Sequence, residues 1–284
     1  MLRPDIFSAR HCAPSAVLRR DGRRDCPGEP PPLRMCWADS GVRVGRVGAT
    51  VERSIACARG GRPTVLDIEG HSGFGKTHLI RSIAEAFAGG QVLRATAYAD
   101  TQDDQLGVLR QLGVEVRGVS PNALSASQAL MRRIDTMDQD GPVLLVVDDL
   151  HWADPESIDA LGVLMERMAG DRVLLVVAHR PTGSRHGRWA SRLHHLPSVE
   201  RVVLDGLDDE EMAALLRERA AEPTEASAEL LRALRVHTGG SPLLLRSLLH
   251  EYRVDELRVM AERGELPATR QLVSAMGERL ARLD

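Results

Sequence analysis

Residues 70–77 read Gly-His-Ser-Gly-Phe-Gly-Lys-Thr, a match to GxxxxGK[ST] that follows a strand-like run at 64–69 and opens a helix-like one at 78–88. Few strings of eight residues constrain a fold so tightly. The glycines let backbone N–H groups turn inward around phosphate oxygens, and the start of the helix adds partial positive charge. The spacing gives Lys76 the β and γ phosphates and Thr77 a Mg²⁺ ion. Gly70, His71, Ser72, Gly73, Phe74, Gly75, Lys76, Thr77 and His78 are therefore candidate nucleotide-binding residues. Composition points to the same place. Of 37 basic residues 36 are Arg, and the single Lys is Lys76. A compact ammonium differs chemically from a guanidinium, and it is the ammonium that such a loop uses.

The rest of the chain reads as short apolar strands alternating with helical segments, the signature of an α/β fold with a parallel sheet. After the helix at 78–88, stopped by Gly89-Gly90, residues 92–97 are a second strand. Residues 101–138 carry two weaker helical segments, the second expected to be capped near Ser120-Pro121. Residues 143–147 and 173–178 are uninterrupted and rich in branched side chains, as central strands buried on both faces should be. The helix between them starts with Asp154 as cap and Pro155 at its first position and is expected to end at Gly170. Residues 201–204 are a fifth strand. Beyond them the strand signals cease, and Asp208 with Glu211 has the spacing of a capping box.

This pattern divides the chain into a leader at 1–40, an α/β core at 41–205 and a small all-helical unit at 206–284. The leader combines seven Arg, four acids and the run Pro30, Pro31, Pro32 in its first 36 residues, with no sustained period, and is expected to be disordered. Met35 is a candidate start. Residues 270–284 are still amphipathic where the sequence stops, so the helical unit is expected to be truncated there.

A phosphate loop needs a carboxylate for its metal on the neighbouring strand. Asp148-Asp149, directly after the run at 143–147, supplies it. Asp148 is read as holding Mg²⁺, directly or through water, and Asp149 as orienting or deprotonating the attacking water. Arg180 ends the next strand. It is read either as a sensor of the γ-phosphate that stabilises transition-state charge or as a solvated strand end. His179 beside it is expected to pack or cap.

Composition removes several classes of function. With 43% hydrophobic and 27% charged residues the chain is ordinary for a globular protein. A net charge of -3 and a pI near 6.4 give no global electrostatic case for nucleic acid or an anionic membrane as main partner. Aromatics are only 3%, too few for base-stacking platforms. No apolar run approaches the roughly 18–20 residues of a bilayer span, and Arg, Pro and Asp interrupt every stretch of the first thirty residues that could be a secretory h-region. A cytoplasmic location is expected. Cys12, Cys26, Cys36 and Cys57 show no CxxC pairing and are expected to be reduced thiols.

Four strings together resemble a known group: GHSGFGKT, the VLLVVDDLHWADP string at 143–155, the Arg that follows VLLVVAH, and GGSPLLL in the helical part. They are similar to the ATPase module of STAND-class signalling ATPases, within it most similar to the large ATP-binding regulators of the LuxR family, whose module is described as AAA-type or Orc1-like. DDLHWADP is the most specific of them. The resemblance spans about residues 42–284. It implies a P-loop NTPase core of three layers around a central parallel sheet, a helical lid, ATP between the two with Mg²⁺ as cofactor, and a slowly hydrolysing switch. It also implies adenine contacts from Val44, Gly45 and Arg46, although the family usually continues with Glu where this chain has Val47-Gly48. Gly240-Ser241-Pro242 is similar to the segment that couples nucleotide state to lid position, with Pro242 at the nucleotide. ATP rather than GTP is implied by the family, and no NKxD motif is present. Self-association through the module is a further implication, whereas DNA binding by this chain alone is not expected. Two other readings stand beside it: a DNA-associated AAA+ ATPase of the origin or clamp-loader type, against which Asp149 in place of Glu argues mildly, and a nucleotide-binding scaffold without turnover.

Overall fold

The computed structural model describes residues 46–87, 89–115, 122–181, 184–219 and 226–268. The leader, Val44, Gly45, the Ser120-Pro121 pair and the amphipathic stretch at 270–284 lie outside the described residues. Five parallel strands form one sheet: β1 (Thr64–Gly70), β2 (Gln91–Thr96), β3 (Val143–Asp148), β4 (Val173–His179) and β5 (Val199–Leu204), in the spatial order β2-β3-β4-β1-β5. The two most apolar runs, β3 and β4, are adjacent inside the sheet and buried along their whole length. Helices can cover both faces of such strands only if every residue is apolar or internally paired, and these sequences meet that condition.

Helices α1 (Arg46–Arg59) and α2 (Lys76–Ala86) cover one face, where Val51, Ile55, Ile83 and Phe87 pack on Leu66, Ile68, Leu144 and Leu174. The other face carries α3 (Gly107–Gln111), α4 (Ala123–Asp138), α5 (Pro155–Arg167) and α6 (Ser184–Leu193). There Leu130, Ile134, Leu161, Leu164 and Trp189 pack on Val65, Leu145, Val147 and Val177. The result is a P-loop NTPase fold in three layers.

Several local expectations need correction. The cap of α4 is Asn122, whose side chain accepts from the Ser125 N–H while Ser125 Oγ accepts from the Asn122 N–H. The helix after Asp154 ends at Arg167, and Gly170 lies in the turn beyond it with a positive φ of 90°. Helices α1 and α6 are additions to the sequence reading. Cys57, on α1, is disulfide-bonded where a reduced thiol is expected, and its partner lies outside the described residues.

After β5 the described chain is helical: α7 (Asp209–Arg219), α8 (Ala228–Thr238), α9 (Pro242–Glu251) and α10 (Val254–Glu262). Met212, Leu215, Leu216, Leu230, Leu234, Leu245, Leu248 and Leu257 form a separate apolar core. The expected capping box closes the start of α7, with Asp208 Oδ1 accepting from the Glu211 N–H and Glu211 Oε2 accepting from the Asp208 N–H. The chain crosses from β5 to these helices at Gly206, which lies so close to Gly240 that a Cβ on Gly240 would come within 2.9 Å of the Gly206 Cα. Among the described residues no helix is long and apolar enough to cross a membrane.

Candidate functional site

The loop between β1 and α2 is shaped by two glycines in the left-handed region, Gly73 at φ 80° and Gly75 at φ 91°. Side chains rarely adopt that conformation, which explains Gly at these two positions. The loop wraps the N-terminus of α2. Lys76, the first residue of the helix, bends back so that Nζ donates to the carbonyls of Gly70 at 2.8 Å and His71 at 3.1 Å. Its ammonium is thus held over the loop with two backbone partners. Burial lowers its pKa, an effect opposed by Asp149, reinforced by Arg180 and opposed again by Asp148.

Thr77 is the next residue, and its hydroxyl donates to Asp148 Oδ2 at 2.8 Å. Asp148 is the last residue of β3 and is buried, with Oδ1 accepting from the Asp149 N–H at 2.9 Å. The chain then turns sharply. Asp149 adopts φ 53°, one of two described non-glycine residues with positive φ, and this conformation turns its side chain into the cleft above the loop. Such backbone costs on the order of 1 kcal/mol and persists where the surroundings over-determine it. Burial raises the Asp149 pKa, Asp148 raises it further, and Lys76 and then Arg180 partly offset the rise. A carboxylate pushed toward neutrality beside an ammonium and a guanidinium is suited to accepting a proton.

These groups converge on a cleft of about 370 Å³. The core contributes Ser72, Gly73, Gly75, Lys76, Thr77, His78, Asp149 and Arg180, and α9 contributes Pro242, Leu243 and Arg246. Three loop residues point elsewhere. Phe74 is buried in the apolar layer beneath α1 and α2 and meets the His71 ring edge-on at 5.7 Å, while Gly70 packs under Leu204, where a Cβ would approach within 3.0 Å. Arg46 opens α1, whereas Val44 and Gly45 are outside the described residues.

The helical part meets the loop directly. Ser241 caps α9 by accepting from the Leu244 N–H, and its hydroxyl donates to the Gly73 carbonyl at 3.3 Å. The Leu243 N–H donates to the same carbonyl at 3.3 Å. A Cβ on Gly73 would sit 2.9 Å from Ser241 Oγ, so only glycine permits the approach. Sequence reasoning missed Arg246. It lies one helical turn beyond Pro242, on the same face of α9, and its charge contributes to lowering the His78 pKa, after burial and ahead of Arg81. The spacing from Pro242 could have suggested it, but only the approach of α9 to the loop gives that spacing meaning.

Residues 49–177 match the AAA ATPase domain family. The chain is 31% identical over 124 residues to an uncharacterized protein of Rhizobium meliloti (strain 1021), covering 43% of this chain and 12% of that protein. It therefore spans a small part of that relative's length. Among solved structures it is similar to the ORC2 protein of Aeropyrum pernix, described in ADPNP-ADP complexes, with a TM-score of 0.50 and 17% identity over 88% of this chain and 69% of that one. A second is a STAND protein with a tetratricopeptide repeat sensor from Pyrococcus horikoshii, with a TM-score of 0.45 and 22% identity over 81% of this chain and 34% of that one. The first likeness agrees with the P-loop NTPase fold, and the family match supports a P-loop ATPase module.

Proposed function

We propose that the chain is an ATP-binding, slowly hydrolysing switch in which nucleotide sits between an α/β core at 41–205 and a helical lid at 206–284. The observation that carries this reading is the convergence of Lys76, Thr77, Asp149 and Arg180 from the core with Pro242, Leu243 and Arg246 from α9 on one cleft. Lys76 would exchange its two backbone carbonyls for β- and γ-phosphate oxygens, so its position is already set before the ligand arrives. Thr77 and Asp148 are hard oxygen donors already in contact, and this donor set fits Mg²⁺, which usually takes one or two protein oxygens with phosphate and water. Bound there, the ion would neutralise charge between the β and γ phosphates.

Asp149 holds the attacking water and takes up its proton, consistent with its raised pKa. Arg180 and Arg246 meet the γ-phosphate from opposite sides of the cleft. ATP would therefore draw α9 toward the core more strongly than ADP does, a difference in contacts that can drive a population shift. The phosphate loop with Ser72, Gly73, Gly75 and His78 binds the phosphates through its backbone, and Pro242 borders the nucleotide.

The DDLHWADP and GGSPLLL strings support a finer reading, the regulatory ATPase module of a LuxR-type transcription regulator, with ATP and ADP as its ligands. A DNA-associated ATPase of the origin type shares this fold and would reveal itself by hydrolysis that DNA stimulates. The switch is tested by hydrogen exchange on α9 with Mg·ATPγS and with Mg·ADP. Stronger protection of α9 by the first supports it, and equal protection contradicts it.

A further inference from the structure

Beneath the cleft lies a charged cluster, centred on the buried Asp67 and His179, that the proposed chemistry does not use. Asp67, on β1, is fully buried among apolar strands. Its Oδ1 accepts from His179 Nε2 at 2.9 Å and from Trp189 Nε1 at 2.9 Å. Its Oδ2 has no hydrogen-bond partner and lies 3.6 Å from Arg201 Nε on β5. Arg201 also pairs with Glu69. The register explains the meeting: Glu69 stands opposite His179 and Asp67 opposite Arg201, so all four side chains share one face of the sheet.

The second nitrogen of His179 fixes the protonation state. Nδ1 lies 3.1 Å from the backbone carbonyl of Arg180. With Asp67 ionised, the carboxylate and the carbonyl both only accept, so this geometry calls for hydrogen on both ring nitrogens, an imidazolium. Burial disfavours that charge, but the bond to Asp67, the charge of Asp67, the Arg180 carbonyl and Glu69 together outweigh it and raise the pKa. Among the described residues Asp67 and Glu69 from β1 and the Arg180 carbonyl act on the ring, while Arg201 from β5 pairs with both of those acids and Trp189 from α6 donates to Asp67.

We propose that His179, held as an imidazolium by Asp67, is a positioning residue that locks the Arg180 backbone so that the Arg180 side chain points into the phosphate cleft. The inference rests on the reading of Arg180 as a γ-phosphate contact. When the ring loses one proton, the remaining N–H stays with the charged carboxylate, the stronger acceptor. A lone pair then faces the Arg180 carbonyl, and that peptide is released. Preference for a triphosphate over a diphosphate should therefore fall as pH rises through the raised His179 pKa.

The test uses calorimetric titration of the full chain with Mg·ATPγS and Mg·ADP between pH 6 and 9, comparing wild type with His179→Gln and Arg180→Ala. His179→Gln keeps a donor for Asp67 and loses the one for the Arg180 carbonyl. Wild type should lose roughly tenfold of its ATPγS-over-ADP preference across the titration, the scale of one charged hydrogen bond, and both variants should be low and flat. A wild-type preference that does not change with pH, or a fall in His179→Gln that matches wild type, overturns the proposal. If Arg180→Ala keeps the wild-type preference, the γ-phosphate reading fails first and takes the proposal with it. Nitrogen-15 spectra of the wild-type ring at pH 7 give a readout that needs no variant: two protonated nitrogens are expected, and one bare nitrogen overturns the imidazolium.

Discussion

The hydroxyl of Ser241 donates to the carbonyl of Gly73, so the cap of α9 and the middle of the phosphate loop share a hydrogen bond across 168 residues of sequence. Phosphate entering the loop acts on the same backbone that α9 grips. Ser241→Ala should lower stability by about 1 kcal/mol through the lost cap. It should also uncouple the two parts: in denaturant titrations and hydrogen exchange, Mg·ATPγS would still protect α2 but would protect α9 less than in wild type. Unchanged α9 protection would show that the contact carries no coupling.

Gly73→Ala is a harsher version of the same perturbation. The new methyl would need φ near 80° and would meet Ser241 Oγ at 2.9 Å. Nucleotide affinity should fall at least tenfold while far-ultraviolet circular dichroism is unchanged, because the sheet does not depend on the loop. Affinity equal to wild type would mean the loop relaxes without cost.

Asp149 separates stability from activity. Its pKa is raised by burial, then by Asp148, so its ionised form is disfavoured in the folded chain above the ordinary carboxylate range. Asp149→Asn should therefore raise Tm while lowering phosphate release by about 10²-fold or more. A variant that melts lower, or that turns over at the wild-type rate, contradicts the role assigned to this residue.

His179 sets a pH window for stability. A folded pKa above the unfolded one contributes stability that is complete below about pH 6.5 and is lost as pH rises through the folded value. Urea unfolding of wild type should therefore weaken from pH 6 to pH 9, and His179→Gln should flatten that dependence. Parallel profiles would mean the ring does not titrate in this range.

Much of the fold was legible because its signals are local. The branched runs that became β3 and β4, the glycines at 73 and 75, and Asp154 with Pro155 at the start of α5 each act within a few residues. Helix α1 was missed although Val51, Ile55 and Ala58 are spaced for one face, because its first turn carries a glycine and no acidic residue. In helix α6 the one buried side chain among the described residues is Trp189, in a sequence rich in Arg, Ser and Gly, so its period is weak. The site was legible in proportion to its contiguity. Lys76, Thr77, Asp148 and Asp149 sit in continuous strings, whereas Arg246 and the Asp67–His179 pair depend on which elements the fold makes neighbours. Asp67 in particular sits between Leu66 and Ile68 in the middle of a strand, and an acid placed there was itself the available clue.

The most direct test is phosphate release from Mg·ATP by the purified 284-residue chain, with Lys76→Ala as the blank. Slow turnover that disappears in the variant is the expected result, since Lys76 is the chain's only lysine and its ammonium is already poised over the loop. Release no greater than the blank, from a chain that still binds ATP, would contradict the account and leave a nucleotide-binding scaffold in its place.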